Sequence, residues 1–302
     1  MIEALRTPEE RFSLLPGYPY APHYVDDLEG YEGLRLAWVD EGPTQADNVF
    51  LCLHGEPTWG YLYRKMLPVF RDAGHRVVVP DLFGFGRSDK PIEDSAYSFD
   101  FHRESLLRWI ERMDLRGITL VCQDWGGILG LTLPFEMPDR FVRLLLMNTA
   151  LPIGEFVSDG FAGWKGFAAT APEIPVSGLV ASDAGLATNL FDALAYDAPF
   201  PDDRYKAGVR RFPQMVPVEP GMAGIEQTRR ARHYFATEWA GESFMAVGLR
   251  DRVLGPEVMA DLRETIQGCP EPMEVPEAGH FVQEYGEPIA RAALERFGLA
   301  GS

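Results

Sequence analysis

The chain has 302 residues, of which 46% are hydrophobic and 24% are charged, enough to bury a large core in one α/β domain with room for an insertion. Its formal net charge of −17 argues against a nucleic-acid partner or an anionic membrane surface. Residues 1–12 are charged without an apolar signal core, and no run of about 18 apolar residues occurs, so we expect a cytoplasmic protein.

Short apolar segments alternate with longer segments of helical periodicity along most of the chain. The strand candidates are residues 34–40, 48–54, 75–81, 118–124, 143–148, 244–251 and 272–280. Continuous apolar runs of this length are typical of parallel strands covered on both faces. The helical stretches between them include residues 100–116, 256–267 and 284–297. The alternation predicts an α/β fold with a doubly wound, mostly parallel sheet that binds ligands at the carboxyl ends of its strands.

The alternation stops between residues 154 and 225. This stretch is rich in Phe, Pro, Gly and Ala, and it shows short helical segments and no strand pattern. Because it lies between two predicted core strands, we interpret residues 154–225 as an inserted helical cap. The core domain would then consist of residues 1–153 and 226–302.

The three cysteines have no motif spacing. Cys52 and Cys122 lie in apolar strand-like runs, where a buried free thiol is the expected state, and Cys269 stands apart from them. The histidines other than His54 and His280 are scattered without the spacing of metal ligands, so no metal site is predicted.

Three residues that could form a catalytic triad each follow a predicted strand. Asp124 lies in the segment VCQDWGG (121–127), whose outline is a sharp strand-to-helix turn, and Asp251 and His280 follow later strands. Nucleophile, acid and histidine in this order are the chain order of an α/β-hydrolase triad. Asp124 as a helix cap or His280 as a loop residue would be ordinary alternatives. The joint pattern favours the triad.

A second turn could complete the site. His54, Gly55, Glu56 and Pro57 follow a predicted strand, and a turn there would direct the backbone N–H of Glu56 towards Asp124. Together with the N–H of Trp125 it would form an oxyanion hole. The alternative is an ordinary Gly-Pro turn before a helix.

Aspartate at the elbow, where serine is usual, indicates substitution at saturated carbon. An ionised carboxylate can displace a leaving group without first losing a proton, and the product is an alkyl ester on Asp124. Water deprotonated by His280, with Asp251 orienting the imidazole, can then attack the ester carbonyl. The leaving group would be a halide or an opening epoxide. This chemistry needs no metal and no organic cofactor.

The whole chain resembles the haloalkane dehalogenases. The resemblance rests on HGEPTWGYLYRKM (54–66), DLFGFGRSDKP (81–91), VCQDWGGILGL (121–131), GFAGWKGF (160–167), GVRRFPQMV (208–216), GLRDRVLGPEVM (248–259) and CPEPMEVPEAGHFVQEYGE (269–287). It implies hydrolysis of small haloalkanes to alcohol, halide and proton. It also implies that the indole N–H groups of Trp125 and Trp164 bind the departing halide, since indole N–H only donates hydrogen bonds.

The resemblance further implies an apolar substrate pocket. Its expected lining is Phe161, Phe212, Pro213, Val216, Val253 and Leu254. The best-known pattern of the family has Phe after DWGG, where this chain has Ile128, so the preferred substrate length stays open. The expected partners are a small halogenated alkane and water, with halide as product, and no nucleic acid or membrane. We expect a monomer.

The position of the triad acid has an alternative. Related enzymes carry it after either of two strands, and the earlier position here holds Asn148, which has no charge to stabilise an imidazolium. Asp251 is therefore the predicted acid, although its neighbours Arg250 and Arg252 would also fit an exposed turn.

Two other functions use the same fold. An epoxide hydrolase has the same aspartate elbow and needs two cap tyrosines, for which Tyr196 and Tyr205 are candidates. The pair Trp125 and Trp164, with Glu56 in the oxyanion turn, favours a dehalogenase. A non-catalytic sensor of a small ligand could also retain the triad.

Overall fold

The computed structural model describes residues 2–154, 158–184 and 188–301, with an eight-stranded sheet at their centre. The strands are β1 Ala4–Leu5, β2 Pro22–Val25, β3 Leu36–Glu41, β4 Val49–Leu53, β5 Arg76–Asp81, β6 Lys90–Pro91, β7 Ile118–Gln123, β8 Phe141–Met147, β9 Glu242–Gly248 and β10 Met273–Val275. The α-helices are α1 Leu67–Asp72, α2 Phe99–Arg112, α3 Trp125–Gly130, α4 Asp159–Thr170, α5 Val176–Ala184, α6 Leu190–Ala195, α7 Ala207–Met215, α8 Ile225–Thr237, α9 Pro256–Thr265 and α10 Gly286–Arg296. None of the helices in the described part of the chain combines the length and apolar character needed to cross a membrane.

The main sheet has the α/β-hydrolase arrangement that the sequence predicts. Its strand order is β10-β9-β8-β7-β4-β5-β3-β2, while β1 pairs separately with β6. Strands β4 and β7 are buried along their whole length, which explains their uninterrupted apolar sequences. Their parallel register places Leu53 opposite Cys122, so the turns that follow the two strands lie side by side. The carboxyl edge of the sheet thus positions the site.

The amino-terminal part of the sheet departs from the predicted pattern. Strand β3 pairs antiparallel with both β2 and β5, although its apolar run has the character of a parallel strand. Strand β2 was not predicted because it is short, lies at the sheet edge and has only one buried residue, Val25. Strand β10 ends at Val275, earlier than the predicted segment 272–280, and a turn follows in which the Ala278 N–H donates to the Val275 carbonyl oxygen at 3.1 Å.

The regular elements in the described part of the segment between β8 and β9 are all helices. It contains α4 to α7, a 3-10 helix at Asp203–Lys206, and then α8. The division of the chain at residues 154 and 225 stays a prediction, and residues 155–157 near the first boundary lie outside the described residues.

A buried ionic cluster joins this segment to the core. Arg64 donates two hydrogen bonds to the Glu284 carboxylate, at 2.8 and 2.7 Å, and a further one to the Tyr196 hydroxyl at 3.1 Å. The Tyr196 hydroxyl donates to Glu284 at 2.6 Å. Burial alone would raise the pKa of Glu284, but the hydrogen bonds and charge of Arg64 outweigh it and lower that pKa. The cluster fixes α6 over the core.

Candidate active site

Asp124 occupies a strained turn between β7 and α3. Its backbone has φ 50° and ψ −128°, a region that costs a non-glycine residue about 1–3 kcal/mol. The turn passes so close to β4 that a Cβ at Gly126 would collide with the Leu53 carbonyl oxygen. The Thr149 hydroxyl donates to the Asp124 carbonyl oxygen at 2.7 Å and holds the turn from the other side. The side chain of Asp124 therefore projects above the sheet.

The turn after β4 delivers a backbone donor to this carboxylate. The Glu56 N–H donates to Asp124 Oδ1 at 2.8 Å. A side chain at Gly55 would collide with the Asp124 carboxylate, which explains glycine at that position. The Glu56 amide thus lies where the sequence places one half of an oxyanion hole, and the contribution of the Trp125 amide stays a prediction.

The structure brings His280 between the two aspartates. Its Nδ1 lies 2.9 Å from Asp251 Oδ2, and its Nε2 lies 3.5 Å from Asp124 Oδ2. The Gln123 side-chain amide donates to the His280 carbonyl oxygen at 3.0 Å. Burial alone would lower the pKa of His280, but the carboxylates of Asp251 and Asp124 outweigh it and raise that pKa well above its usual value.

Asp251 is buried and not part of an exposed turn. Its Oδ1 accepts from the N–H groups of Val253 and Leu254 at 2.7 and 3.1 Å, and its Oδ2 accepts from Asn148 Nδ2 at 2.9 Å. Burial would raise the pKa of Asp251, yet the charge and hydrogen bond of His280, assisted by these donors, lower it. The carboxylate is therefore ionised and faces the imidazole. Asn148, at the alternative position for the acid, holds Asp251 in place.

The Glu56 side chain adds a group that the sequence did not reveal. Its Oε2 accepts from the Trp164 indole N–H at 3.2 Å. Burial, followed by the nearby Asp124 charge, raises the pKa of Glu56 well above its usual value. This shift favours the protonated carboxyl more than in an exposed glutamate, because a second negative charge beside the nucleophile is unfavourable.

These groups open onto a cavity of about 460 Å³ with a largely apolar wall. The residues on this wall that the sequence singles out are Glu56, Asp124, Trp125, Ile128, Phe161, Trp164, Pro213, Val216, Val253, Leu254 and His280. Phe212 is a correction: it is fully buried, with its ring 4.8 Å from that of Trp125, and it supports the cavity wall from behind. Its neighbour Pro213 faces the cavity instead.

The two tyrosines on which an epoxide hydrolase would depend lie elsewhere. Among the described residues that line the cavity, neither Tyr196 nor Tyr205 occurs. Tyr196 is fully buried and donates its hydroxyl to Glu284. Its hydroxyl proton is therefore directed to Glu284 and not to an epoxide in the cavity.

Three polar residues that contact the triad were not assigned this role from the sequence. Gln123 and Asn148 both end core strands next to the triad, and that position was the available signal. Asp183 accepts from the backbone N–H of His280 at 2.9 Å across a separation of 97 residues, for which no local pattern exists.

Comparison with known proteins agrees with this fold. A family model described as the alpha/beta hydrolase fold matches residues 48–287. The haloalkane dehalogenase of Psychrobacter cryohalolentis is 42% identical over 302 residues, covering 97% of this chain and 98% of the relative. That of Mycolicibacterium paratuberculosis is 38% identical over 285 residues, covering 94% of each chain.

A solved structure shows a closer likeness. The haloalkane dehalogenase DpaA from Paraglaciecola agarilytica is 61% identical, with a TM-score of 0.96 over 97% of this chain and 98% of that chain. Its structure is described as tetrameric.

Proposed function

Because the chain belongs to the haloalkane dehalogenase family of α/β-hydrolases, we propose that Asp124, His280 and Asp251 carry its reaction. The activity is the hydrolytic cleavage of carbon–halogen bonds, which yields an alcohol, a halide and a proton. The assignment of each residue to a step is our proposal. It is supported by the approach of the Glu56 amide and the His280 imidazole to one carboxylate at the cavity wall.

In the first step, an Asp124 oxygen attacks the carbon that bears the halogen. A carbon–oxygen bond forms, the carbon–halogen bond breaks, and the electron pair leaves with the halide. Trp125 and Trp164 line the same cavity and are proposed to donate their indole N–H groups to the halide. Trp164 must exchange its bond to Glu56 for one to the halide. The raised pKa of Glu56 favours its protonated carboxyl, which is a weaker acceptor than a halide ion, and this favours the exchange.

Alkylation prepares the base for the second step. Once Asp124 is an ester, it no longer contributes the negative charge that helps to raise the pKa of His280. The pKa of the imidazole then falls, and the neutral form, held by Asp251, can take a proton from water at Nε2. The hydroxide adds to the ester carbonyl carbon, and the oxyanion develops within reach of the Glu56 N–H. Collapse expels the alcohol after protonation, restores the Asp124 carboxylate and releases one proton overall.

Trapping the ester tests this assignment directly. In a His280→Phe variant, we expect alkylation without hydrolysis, because only the second step uses the imidazole. After incubation with 1,2-dibromoethane, peptide mass spectrometry should find a bromoethyl adduct on Asp124. An adduct on another residue, together with normal turnover in Asp124→Ala, would contradict the proposal.

We also propose that the protein assembles as a tetramer, and the expectation of a monomer finds no support in the comparisons. The proposal is supported by 61% identity to a tetrameric relative over nearly the whole of both chains. Leu14, Phe191 and Leu194 line one shallow surface groove and are 88%, 74% and 50% exposed, a grouping of apolar side chains that would suit a subunit interface. Light scattering coupled to size-exclusion chromatography would decide, and a monomer at micromolar concentration would refute the tetramer.

A cytoplasmic location is our proposal as well. It is supported by the free thiols of Cys52, Cys122 and Cys269, which suit a reducing compartment. Fractionation of the source cells with an antibody against the protein tests it, and recovery outside the cytoplasm would contradict it.

A further inference from the structure

A residue of the cap region contacts the backbone of the catalytic histidine. Asp183, near the end of α5, accepts from the His280 N–H through Oδ1 and from the Phe281 N–H through Oδ2, each at 2.9 Å. One carboxylate therefore satisfies two consecutive backbone donors. A Cβ at Gly279 would collide with this carboxylate, so the loop has glycine where Asp183 approaches. Asp183 also lies on the cavity wall.

The loop that bears His280 depends on such contacts. Strand β10 ends at Val275, so His280 stands five residues beyond the ladder that fixes the strand. From the core side, the Gln123 amide donates to the His280 carbonyl oxygen at 3.0 Å. From the cap side, Asp183 accepts from the His280 N–H. The peptide groups on either side of this residue are thus held by side chains of different parts of the fold.

We propose that Asp183 is a positioning residue for His280, through which α5 holds the imidazole over Asp124 for the hydrolytic step. This inference rests on the proposed role of His280 as the base. Hydrogen bonds from backbone N–H groups to a carboxylate are charge-assisted and stronger than those to a neutral acceptor. His280 Nε2 lies 3.5 Å from Asp124 Oδ2, and displacement of a reacting group by about 1 Å can cost on the order of a hundredfold in rate. Hydrolysis therefore requires that α5 keeps its contact with the loop that bears His280.

The test separates the two chemical steps in Asp183→Ala and Asp183→Asn. With 1,2-dibromoethane in single-turnover rapid-quench experiments, bromide release reports alkylation, and mass spectrometry of the quenched protein reports the ester on Asp124. For Asp183→Ala, we expect alkylation within about twofold of the parent and ester hydrolysis slowed by roughly tenfold to a hundredfold. Asp183→Asn should be intermediate, because its single carbonyl oxygen replaces only part of the carboxylate. It also decides the question if Asp183→Ala does not fold.

A matched control residue contacts the same helix from outside it. The Asp197 carboxylate accepts from the Ser177 N–H at 3.0 Å near the start of α5, away from the histidine loop. Asp197→Ala should leave the ratio of hydrolysis to alkylation unchanged. The inference would be overturned if both steps slowed equally in the Asp183 variants, or if their hydrolysis rate were unchanged. It would also be overturned if Asp197→Ala slowed hydrolysis selectively. Normal ester hydrolysis in His280→Phe would instead refute the role of His280 as base.

Discussion

Replacing Asp251 with asparagine tests the triad most directly, because the size of the side chain hardly changes while its charge and one acceptor are lost. The parent carboxylate is inaccessible to solvent and accepts from His280 and Asn148 on one oxygen, and from two backbone N–H groups on the other. Every neighbour is a donor. The NH₂ group of Asp251→Asn must therefore oppose donors on whichever side it is placed.

The structure indicates where this mismatch is relieved. The backbone donors of Val253 and Leu254 are fixed, so the amide oxygen should stay with them and the NH₂ group should face His280. The imidazole must then carry its proton on Nε2, where it cannot take one from water. The corresponding change in a serine-protease triad lowers kcat by about 10⁴, equivalent to about 5.4 kcal/mol at 1.36 kcal/mol per factor of ten. We expect a loss of this order in ester hydrolysis alone.

Rapid-quench kinetics with 1,2-dibromoethane measures both steps. Asp251→Asn should release close to one bromide per active site and then stop, with the ester on Asp124 accumulating. Asn148→Ala is the matched control, since it removes a donor to Asp251 at 2.9 Å without changing the charge. It should slow hydrolysis far less. Unchanged steady-state turnover in Asp251→Asn, or parallel loss of both steps, would show that Asp251 is not the triad acid.

Three further predictions address the proposed halide site, the hydrogen bond between Tyr196 and Glu284, and the base. Trp164→Phe should weaken chloride binding by about 1.5–3 kcal/mol in fluorescence titrations, because one N–H donor to an anion is lost; unaltered affinity would assign Trp164 to packing. Tyr196→Phe loses a buried hydrogen bond to the ionised Glu284, so it should lower the free energy of unfolding by about 1.5–3 kcal/mol. Alkylation should stay unchanged. Loss of alkylation without loss of stability would contradict the structural role of Tyr196. Ester hydrolysis should slow as pH falls through the pKa that His280 has in the alkylated enzyme, and this pKa lies below the pKa of His280 in the resting enzyme. Bromide release in the first step should not show this pH dependence. Equal pH dependence of both steps would exclude His280 as a base of the second step alone.

Much of the site was predictable because each functional residue follows an element with a clear local pattern. The apolar segment before Asp124 matches β7, and the glycines after it mark the elbow. Asp251 and His280 follow predicted strands in the order of a triad. The parallel strands of an α/β sheet share one carboxyl edge, so residues that follow them must meet there.

The direction of side chains in the segment between β8 and β9 was not predictable in the same way. Phe212 and Pro213 are adjacent in α7, yet the first packs behind Trp125 and the second lines the cavity. An apolar residue on a helix is equally compatible with core and pocket, and the packing of the helix selects between them. Tyr196 likewise became a partner of Glu284 and not a cavity acid.

The sequence by itself determined the alternation of core strands and helices, the sharp elbow at Asp124 and the chemistry of a carboxylate nucleophile, because these follow from residues close together in the chain. Only the tertiary structure decided that the pKa of Glu56 is raised beside Asp124, that Asn148 donates to Asp251, and that Asp183 accepts from the His280 N–H across 97 residues. The pKa of a buried group depends on charges brought to it by folding, and a hydrogen bond between distant residues leaves no periodic trace in the sequence.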